Sequence, residues 1–442
     1  MTQSSHSHSH SMQQSKFNDF KQDLLASSVV FFIALPLSLG IALASGAPPV
    51  TAMVAAIVGG ILVGLISGAP LVVTGPAAGL SAMVLQYVQS YGIEKLFIIT
   101  IMAGVFQMFL AAARAGFLVQ RIPKTVIEGV LSAIGFMIVI SQMHIFLGQA
   151  IPGNPIKNLI QLPNAIANVF TDSTGTFATA TGIAVLGFSL LFIWPKIAGK
   201  FKWIPAALPA VLIATFASLF VVIPRLSIAP IGDHAFKTFA DTFSASNWQM
   251  FTLLAMPAIG LAIVASAESL LTAKSVDIMA TKRHMNVKFN VNRELFAQGV
   301  GNAVSGMFGG LPMTGVMVRS AANIDAGART RASTVMHALW IALFIIFAPQ
   351  VLSHIPLAAL ASILIFTGIK LINVKHMIEA VRQNAKEAWV WPATGIAILS
   401  TDLLKGLIIG IVFAIFNSII LRMTASKYKD TGTLTVTKEQ TE

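Results

Sequence analysis

The sequence predicts an all-α polytopic membrane protein of fourteen transmembrane segments, arranged as two inverted halves of seven. Three observations carry this expectation. First, 55% of the 442 residues are hydrophobic and only 10% are charged, with a mean hydropathy of +0.79; a soluble domain carries about 25% charged residues. Second, the apolar residues fall in repeated runs of roughly twenty, the length a helix needs to cross a bilayer. Third, the basic residues sort to one side when those runs are threaded through a membrane in order.

The fourteen segments lie at about 24–45, 49–67, 76–90, 94–113, 123–148, 175–194, 204–223, 250–273, 292–308, 317–326, 329–350, 355–375, 387–401 and 404–421. The third and tenth are short. With the N-terminus in the cytoplasm, 23 Lys and Arg residues fall on the inner side and 5 on the outer side. Arg319 alone remains within the membrane and completes the 29. A net charge of +12 invites a nucleic-acid reading, but this distribution makes the basic charge topological. The expected location is a bacterial inner membrane, with both termini cytoplasmic. The chain has no cysteine, which excludes disulfides and Cys-based metal sites. It carries no P-loop, which argues against ATP-driven transport by this chain alone.

Residues 1–17 read as a disordered tail. His6, His8 and His10 alternate with serine in it; such a tract binds metal or is simply solvated, and the second reading is preferred. No signal-peptide pattern is evident, because the first apolar run is too long for an h-region. Residues 18–425 form the transmembrane domain and 426–442 a cytoplasmic tail.

The break ahead of segment ten holds the clearest chemistry. Gly309, Gly310, Pro312 and Gly315 occur within seven positions, and Arg319 follows. An extended segment at membrane depth is tolerated where it is buried in protein or lines a wet cavity. The half-helix after it presents free N–H groups and a positive dipole end. A matching run, Ser67 to Pro76, precedes segment three, whose half-helix opens Ala77-Ala78-Gly79-Leu80-Ser81. Short interrupted segments at matching places in two halves point to a transporter's substrate site. Small residues also serve tight helix packing in membranes, but the repetition of the pattern favours a site. The anion donors expected are the backbone N–H groups of Ala78, Gly79, Leu80 and Ser81 on one side and of Val318, Arg319 and Ser320 on the other.

On segment eight, Glu268 and Thr272 stand four residues apart and share a helix face. Intramembrane carboxylates are rare and costly, so this face is the candidate for a coupling ion, sodium or a proton, together with Gly315. The plainer alternative is an interfacial pairing of Glu268 with Lys274. Arg319 either meets the anion or neutralises Glu268. Glu128 suits the dipole at the start of segment five. His144, His337 and His354 have no partner at metal-ligand or triad spacing and read as structural. No nucleophile–base pair or metal set suggests an enzyme, and no cofactor is expected beyond the coupling ion.

At these residues the chain resembles the SulP family of anion transporters over about residues 18–425. The resemblance rests on Ile33 to Ala42, Gly75 to Leu80, Glu268-Ser269-Leu270-Leu271, Asn292 to Asn302, Gly309 to Pro312, and Arg319 to Ile324. It implies an inverted-repeat fold with a core domain (about 18–115 and 250–350) moving past a gate domain (about 116–249 and 351–425) in an elevator-like manner, and a homodimer. Family members typically end in a cytoplasmic STAS domain, whereas this chain stops about 20 residues after its last span. Sodium-coupled bicarbonate members carry aspartate at the position of Glu268. The wording at Ala34 to Gly40 and Val318 to Ile324 resembles the branch associated with carbonic anhydrase, which favours bicarbonate over sulfate. A sulfate or dicarboxylate carrier and a passive anion channel are the competing readings.

Overall fold

The computed structural model describes residues 3–117, 121, 123–152, 155–199, 204–226, 248–285, 287, 289–372, 388–401 and 403–430. Helix α1 (Gln3–Ala44) begins inside the Ser/His tract expected as a tail. No glycine or proline interrupts the backbone before Pro36, so nothing local breaks the helix there. Helix α2 (Pro49–Ile66) contains a π-helical turn over Gly59–Val63. A short strand, β1 (Thr74–Pro76), leads through a 3-10 turn at Ala78–Leu80 into α3 (Ser81–Tyr91). Then come α4 (Ile93–Ala112), α5 (Lys124–Phe146), α6 (Pro155–Thr171), α7 (Thr176–Ile197) and α8 (Ala207–Ser218). The second half holds α9 (Trp248–Lys282), α10 (Val291–Met307), strand β2 (Met313–Gly315) and α11 (Met317–Asp325). It closes with α12 (Ala332–Phe347), α13 (Leu357–Ile372), α14 (Val390–Ser400) and α15 (Leu403–Asp430).

A helix falls on each of the fourteen expected stretches. Among the described residues, six helices are long and apolar enough to cross a membrane, and five more are shorter apolar helices. Helix α6 was not expected. Its residues carry too many Asn, Gln and Lys for a spanning run, so a search for apolar runs passes over it.

By contacts, the chain divides into two units, residues 1–121 with 134–370 and residues 122–133 with 371–442. In the second, α14 lies against α15, and Gly410 gives the close approach: a Cβ there would stand 2.5 Å from Thr394 Oγ1. Trp391 Nε1 donates to Ser132 Oγ at 2.9 Å and Trp389 Nε1 to Asn417 Oδ1 at 3.0 Å.

In the first unit, α4 and α10 meet through small residues. Cβ atoms on Gly104 or Gly299 would collide with the facing backbone. Such close approach is how helices gain dispersion contact where lipid supplies no hydrophobic drive. One apolar cluster gathers Leu71, Val72, Val276 and Ile324 around the start of β1 and the end of α11. Another joins Ala180, Ala184, Ala214 and Ala358. Two arginines hold the C-terminal carbonyls of α2: Arg293 Nε donates to Ile66 O at 2.9 Å, and Arg331 Nη1 donates to Leu65 O. Cations at that end complement the helix dipole.

Candidate functional site

The two interrupted segments meet. Strands β1 and β2 pair antiparallel with Thr74 opposite Gly315, Gly75 opposite Thr314 and Pro76 opposite Met313. Val316 N adds a bond to Val73 O at 2.9 Å. Extended backbone at membrane depth needs partners for its N–H and C=O groups, and each strand supplies them to the other. From opposite ends of this ladder the chain turns into α3 and α11.

Helix α10 clamps the crossing from the side. Gln298 Nε2 donates to Thr74 Oγ1 at 2.9 Å. The Asn302 side chain takes both groups of Met313, accepting from its N at 2.7 Å and donating to its O at 3.1 Å. Ser305 Oγ donates to Leu311 O at 2.8 Å. One turn earlier, Glu294 accepts from Ser67 Oγ, from Ala69 N at 3.1 Å and from Gln298 Nε2 at 2.8 Å. Asn302 also donates to Gln107 Oε1 on α4 at 2.8 Å, and Gln107 Nε2 to Ser266 Oγ on α9 at 3.2 Å. Glu294, Gln298 and Asn302 recur every four residues and form one polar stripe along the helix. That spacing is visible in the sequence, but nothing in the sequence alone links it to the crossing it holds.

Arg319 sits in the first turn of α11 and is fully buried. Its Nη2 donates to Ser38 Oγ on α1 at 2.8 Å and to Pro76 O at 3.4 Å. Its Nε and Nη1 have no partner among the described residues. A guanidinium carries five N–H donors in a fixed fork, and leaving buried donors unpaired is costly. Glycine at position 75 makes room: a Cβ there would run into Arg319 Nη1. Ser38 lies within the Ile33 to Ala42 stretch, but no sequence signal links it to Arg319, 281 residues away along the chain.

Among the described residues, no side chain caps either half-helix. Ala77 and Val316, the residues preceding the first turns, make no side-chain cap bond. Through the 3-10 turn into α3, Gly79, Leu80 and Ser81 are buried and Ala78 is half-buried. Leu80 N is taken by Ala77 O at 3.2 Å, and Ser81 Oγ donates to Ala78 O at 2.7 Å. On α11, the Val318 side chain is exposed, so only its backbone can serve the site. Ser320 is committed within the protein. Its N donates to Val316 O at 3.0 Å, and its hydroxyl donates to Val316 O at 2.8 Å and accepts from Val73 N at 2.9 Å. The amides at the very start of each half-helix, rather than Leu80 or Ser320, are therefore the ones without an intrahelical partner.

Glu268 on α9 lies against the 3-10 turn that leads into α3. A Cβ built on Gly79 would stand 2.7 Å from each of its carboxylate oxygens, and the carboxylate also meets the Thr314 side chain. Ser269 Oγ accepts from Gly315 N at 3.2 Å. Thr272, buried, turns its methyl Cγ2 toward Gly315, 3.6 Å from a Cβ built there. Thr272 thus contacts Gly315, and Glu268 contacts the adjacent Thr314. Glu268 makes no ion pair with Lys274 or with Arg319; among the described residues the ion pair found is Arg283–Asp325, at the far end of α11. No cluster of three His, Cys, Asp or Glu residues forms among the described residues.

The three histidines are buried or bonded locally. His144 Nε2 lies 2.9 Å from Asn158 O, and His354 Nδ1 lies 2.8 Å from Gln350 O. His337 Nδ1 bonds Thr334 O, and its Nε2 has no partner among the described residues.

Residues 20–394 match the Sulfate permease family. The chain is 30% identical over 407 residues to the Bacillus subtilis protein named "Putative sulfate transporter YvdB", covering 89% of this chain and 73% of the other. It is 29% identical over 413 residues to the bicarbonate transporter BicA of Picosynechococcus sp., covering 90% and 70%. The transmembrane domain of a cyanobacterial BicA superposes with a TM-score of 0.73 at 27% identity, covering 90% of this chain and 98% of that one. Murine Solute Carrier 26 family member A9 shares the fold, with a TM-score of 0.72 at 17% identity over 90% and 68%.

Proposed function

Since the chain belongs to the sulfate permease family of integral membrane anion transporters, we propose that it is a secondary active transporter of a small inorganic anion, bicarbonate in first place, driven by sodium or protons. The observation that carries the anion reading is Arg319: buried, with Nε and Nη1 unpartnered among the described residues, beside two half-helices whose first amides no side chain caps. A guanidinium and two positive helix ends in a low-dielectric setting favour an anion over a neutral solute. The donors proposed are the amides of Ala78 and Gly79 and of Val318 and Arg319, with the Arg319 side chain supplying field and direct bonds. Leu80, Ser81 and Ser320 shape the site.

Coupling is assigned to Glu268, Thr272 and Gly315. A carboxylate, a hydroxyl and a backbone carbonyl are the oxygen ligands a hard cation takes, and the same carboxylate also carries a proton. Occupying Glu268 with either cation removes a negative charge next to the 3-10 turn that opens the first half-helix, which strengthens anion binding there. This coupling is reciprocal by linkage. Carriage across the membrane is proposed as an elevator-like movement of a core (about 18–115 and 250–350) against a gate (about 116–249 and 351–425), in a homodimer of the bacterial inner membrane with cytoplasmic termini.

Sulfate is the second reading, supported by the similarity to the Bacillus subtilis protein named for that anion. Uptake of labelled bicarbonate and of labelled sulfate into proteoliposomes, each with and without a sodium or proton gradient, tests both. Concentrative bicarbonate uptake that collapses without the gradient is expected. Sulfate uptake alone would replace the substrate, and flux that no gradient renders concentrative would replace the carrier with a channel.

A further inference from the structure

We infer that α6, the helix between α5 and α7, is an interfacial helix whose free apolar face is embedded in the lipid surface at the end of those two helices. Its seventeen residues divide into three faces. At about 100° per residue, Ile156, Leu159, Ile160, Ile166 and Phe170 fall within about 120° of arc. All five are exposed, Ile160 at 70% and Phe170 at 84%. Lys157, Asn164 and Asn168, also exposed, centre about 120° further round. The third face holds Asn158 and Ala165, both buried.

That third face fixes where the helix lies. His144 Nε2, in the last turn of α5, meets Asn158 O at 2.9 Å. Gln149 Nε2, just beyond α5, donates to Ala165 O at 2.7 Å, and Asn168 Nδ2 donates to Gln149 Oε1 at 3.2 Å. The helix is therefore tied across the end of α5. Four residues join Thr171 to α7, a reach of at most about 17 Å. Both flanking helices are long and apolar enough to span, so α6 stands at the boundary where their apolar stretches end.

A helix in water would bury Ile160 and Phe170; a spanning helix would not place Lys157, Asn164 and Asn168 on one side. One protein face, one polar face and one apolar face are what a helix in the plane of the interface requires. Exposed apolar side chains also stand along α7 at Val185, Phe192 and Ile193, so the helix that follows α6 itself presents an apolar surface to lipid. The partner is the bilayer itself: acyl chains under the apolar face and water over Asn164. With the N-terminus inside, this is the outer leaflet. The consequence is positional, because the tie to His144 and Gln149 sets the depth at which α5 and α7 stand.

The chain lacks cysteine, which makes single-site labelling direct. Ile160→Cys and Asn164→Cys, each carrying an environment-sensitive fluorophore, would be compared in proteoliposomes. Spin-labelled lipid should quench the label at position 160 several-fold more than the label at position 164, and aqueous iodide should do the reverse. Equal iodide access at both positions would overturn the assignment. So would disulfide cross-linking between two copies of the Ile160→Cys variant with loss of lipid quenching, since a second copy would then cover the face. Because neither side chain touches the anion site, the readout stands whichever anion is carried.

Discussion

The Glu268 carboxylate rests on the Cα of Gly79, at a spot where any larger residue would place its Cβ 2.7 Å from both oxygens. A carboxylate thereby faces the first turn of a half-helix, where a negative charge is favoured by the dipole. It occupies the neighbourhood into which an anion would be drawn. Neutralising it is the simplest way to let one ion control the binding of another.

Gly79→Ala tests that contact. The added methyl must displace Glu268 or tilt α3, an overpacking that typically costs about 1–3 kcal/mol. The expected outcome is folded protein with a lowered thermal midpoint and strongly reduced anion uptake. Wild-type uptake from Gly79→Ala would show that the contact is incidental.

Glu268→Gln keeps the shape and removes the charge. Anion uptake should lose its dependence on sodium or pH while anion binding to the purified protein persists, measured by isothermal calorimetry beside flux. A variant with full cation dependence would take Glu268 out of coupling.

For Arg319, the alanine and lysine variants separate charge from geometry. Arg319→Ala should abolish uptake, with the protein still monodisperse on size exclusion. Arg319→Lys keeps a positive charge but loses the planar fork, so weakened rather than absent uptake is expected, with Km raised more than Vmax is lowered. Unchanged uptake in both variants would remove the arginine from the anion site.

Asn302→Leu strips both hydrogen bonds from Met313 and leaves its N–H and C=O buried. Each such orphan costs about 1–3 kcal/mol, so the thermal midpoint should drop by several degrees and transport should fall with it. Gln298→Leu, which removes two bonds to side chains, Thr74 and Glu294, rather than to backbone, should have the milder effect. The reverse order, read by thermal denaturation in detergent, would contradict the clamp assigned to α10.

Much of this was legible before any coordinates. Apolar run length placed a helix on each expected stretch, six of them long and apolar enough among the described residues to cross a membrane, because a bilayer imposes a common length on its spans. The breaks at Gly75-Pro76 and at Pro312 to Gly315 marked the two half-helices, because those residues stop helices at any depth. The topological count left Arg319 without a membrane face, and it proved to be fully buried. Helix α6 was passed over, since Lys157, Asn158, Gln161, Asn164 and Asn168 keep it from the spanning pattern.

The sequence by itself determined that the chain crosses a membrane, where it is interrupted, and that an arginine and a glutamate fall within its apolar stretches. These follow from local chemistry, namely hydropathy, helix breaking and the cost of charge in lipid. Only the tertiary structure decided that β1 and β2 pair with each other. The same holds for Ser38 receiving Arg319, for Gly79 meeting Glu268, and for one stripe on α10 holding the crossing. Those are contacts between residues tens to hundreds of positions apart. A hydrogen bond depends on where two groups lie in space, which no local pattern of residue types encodes.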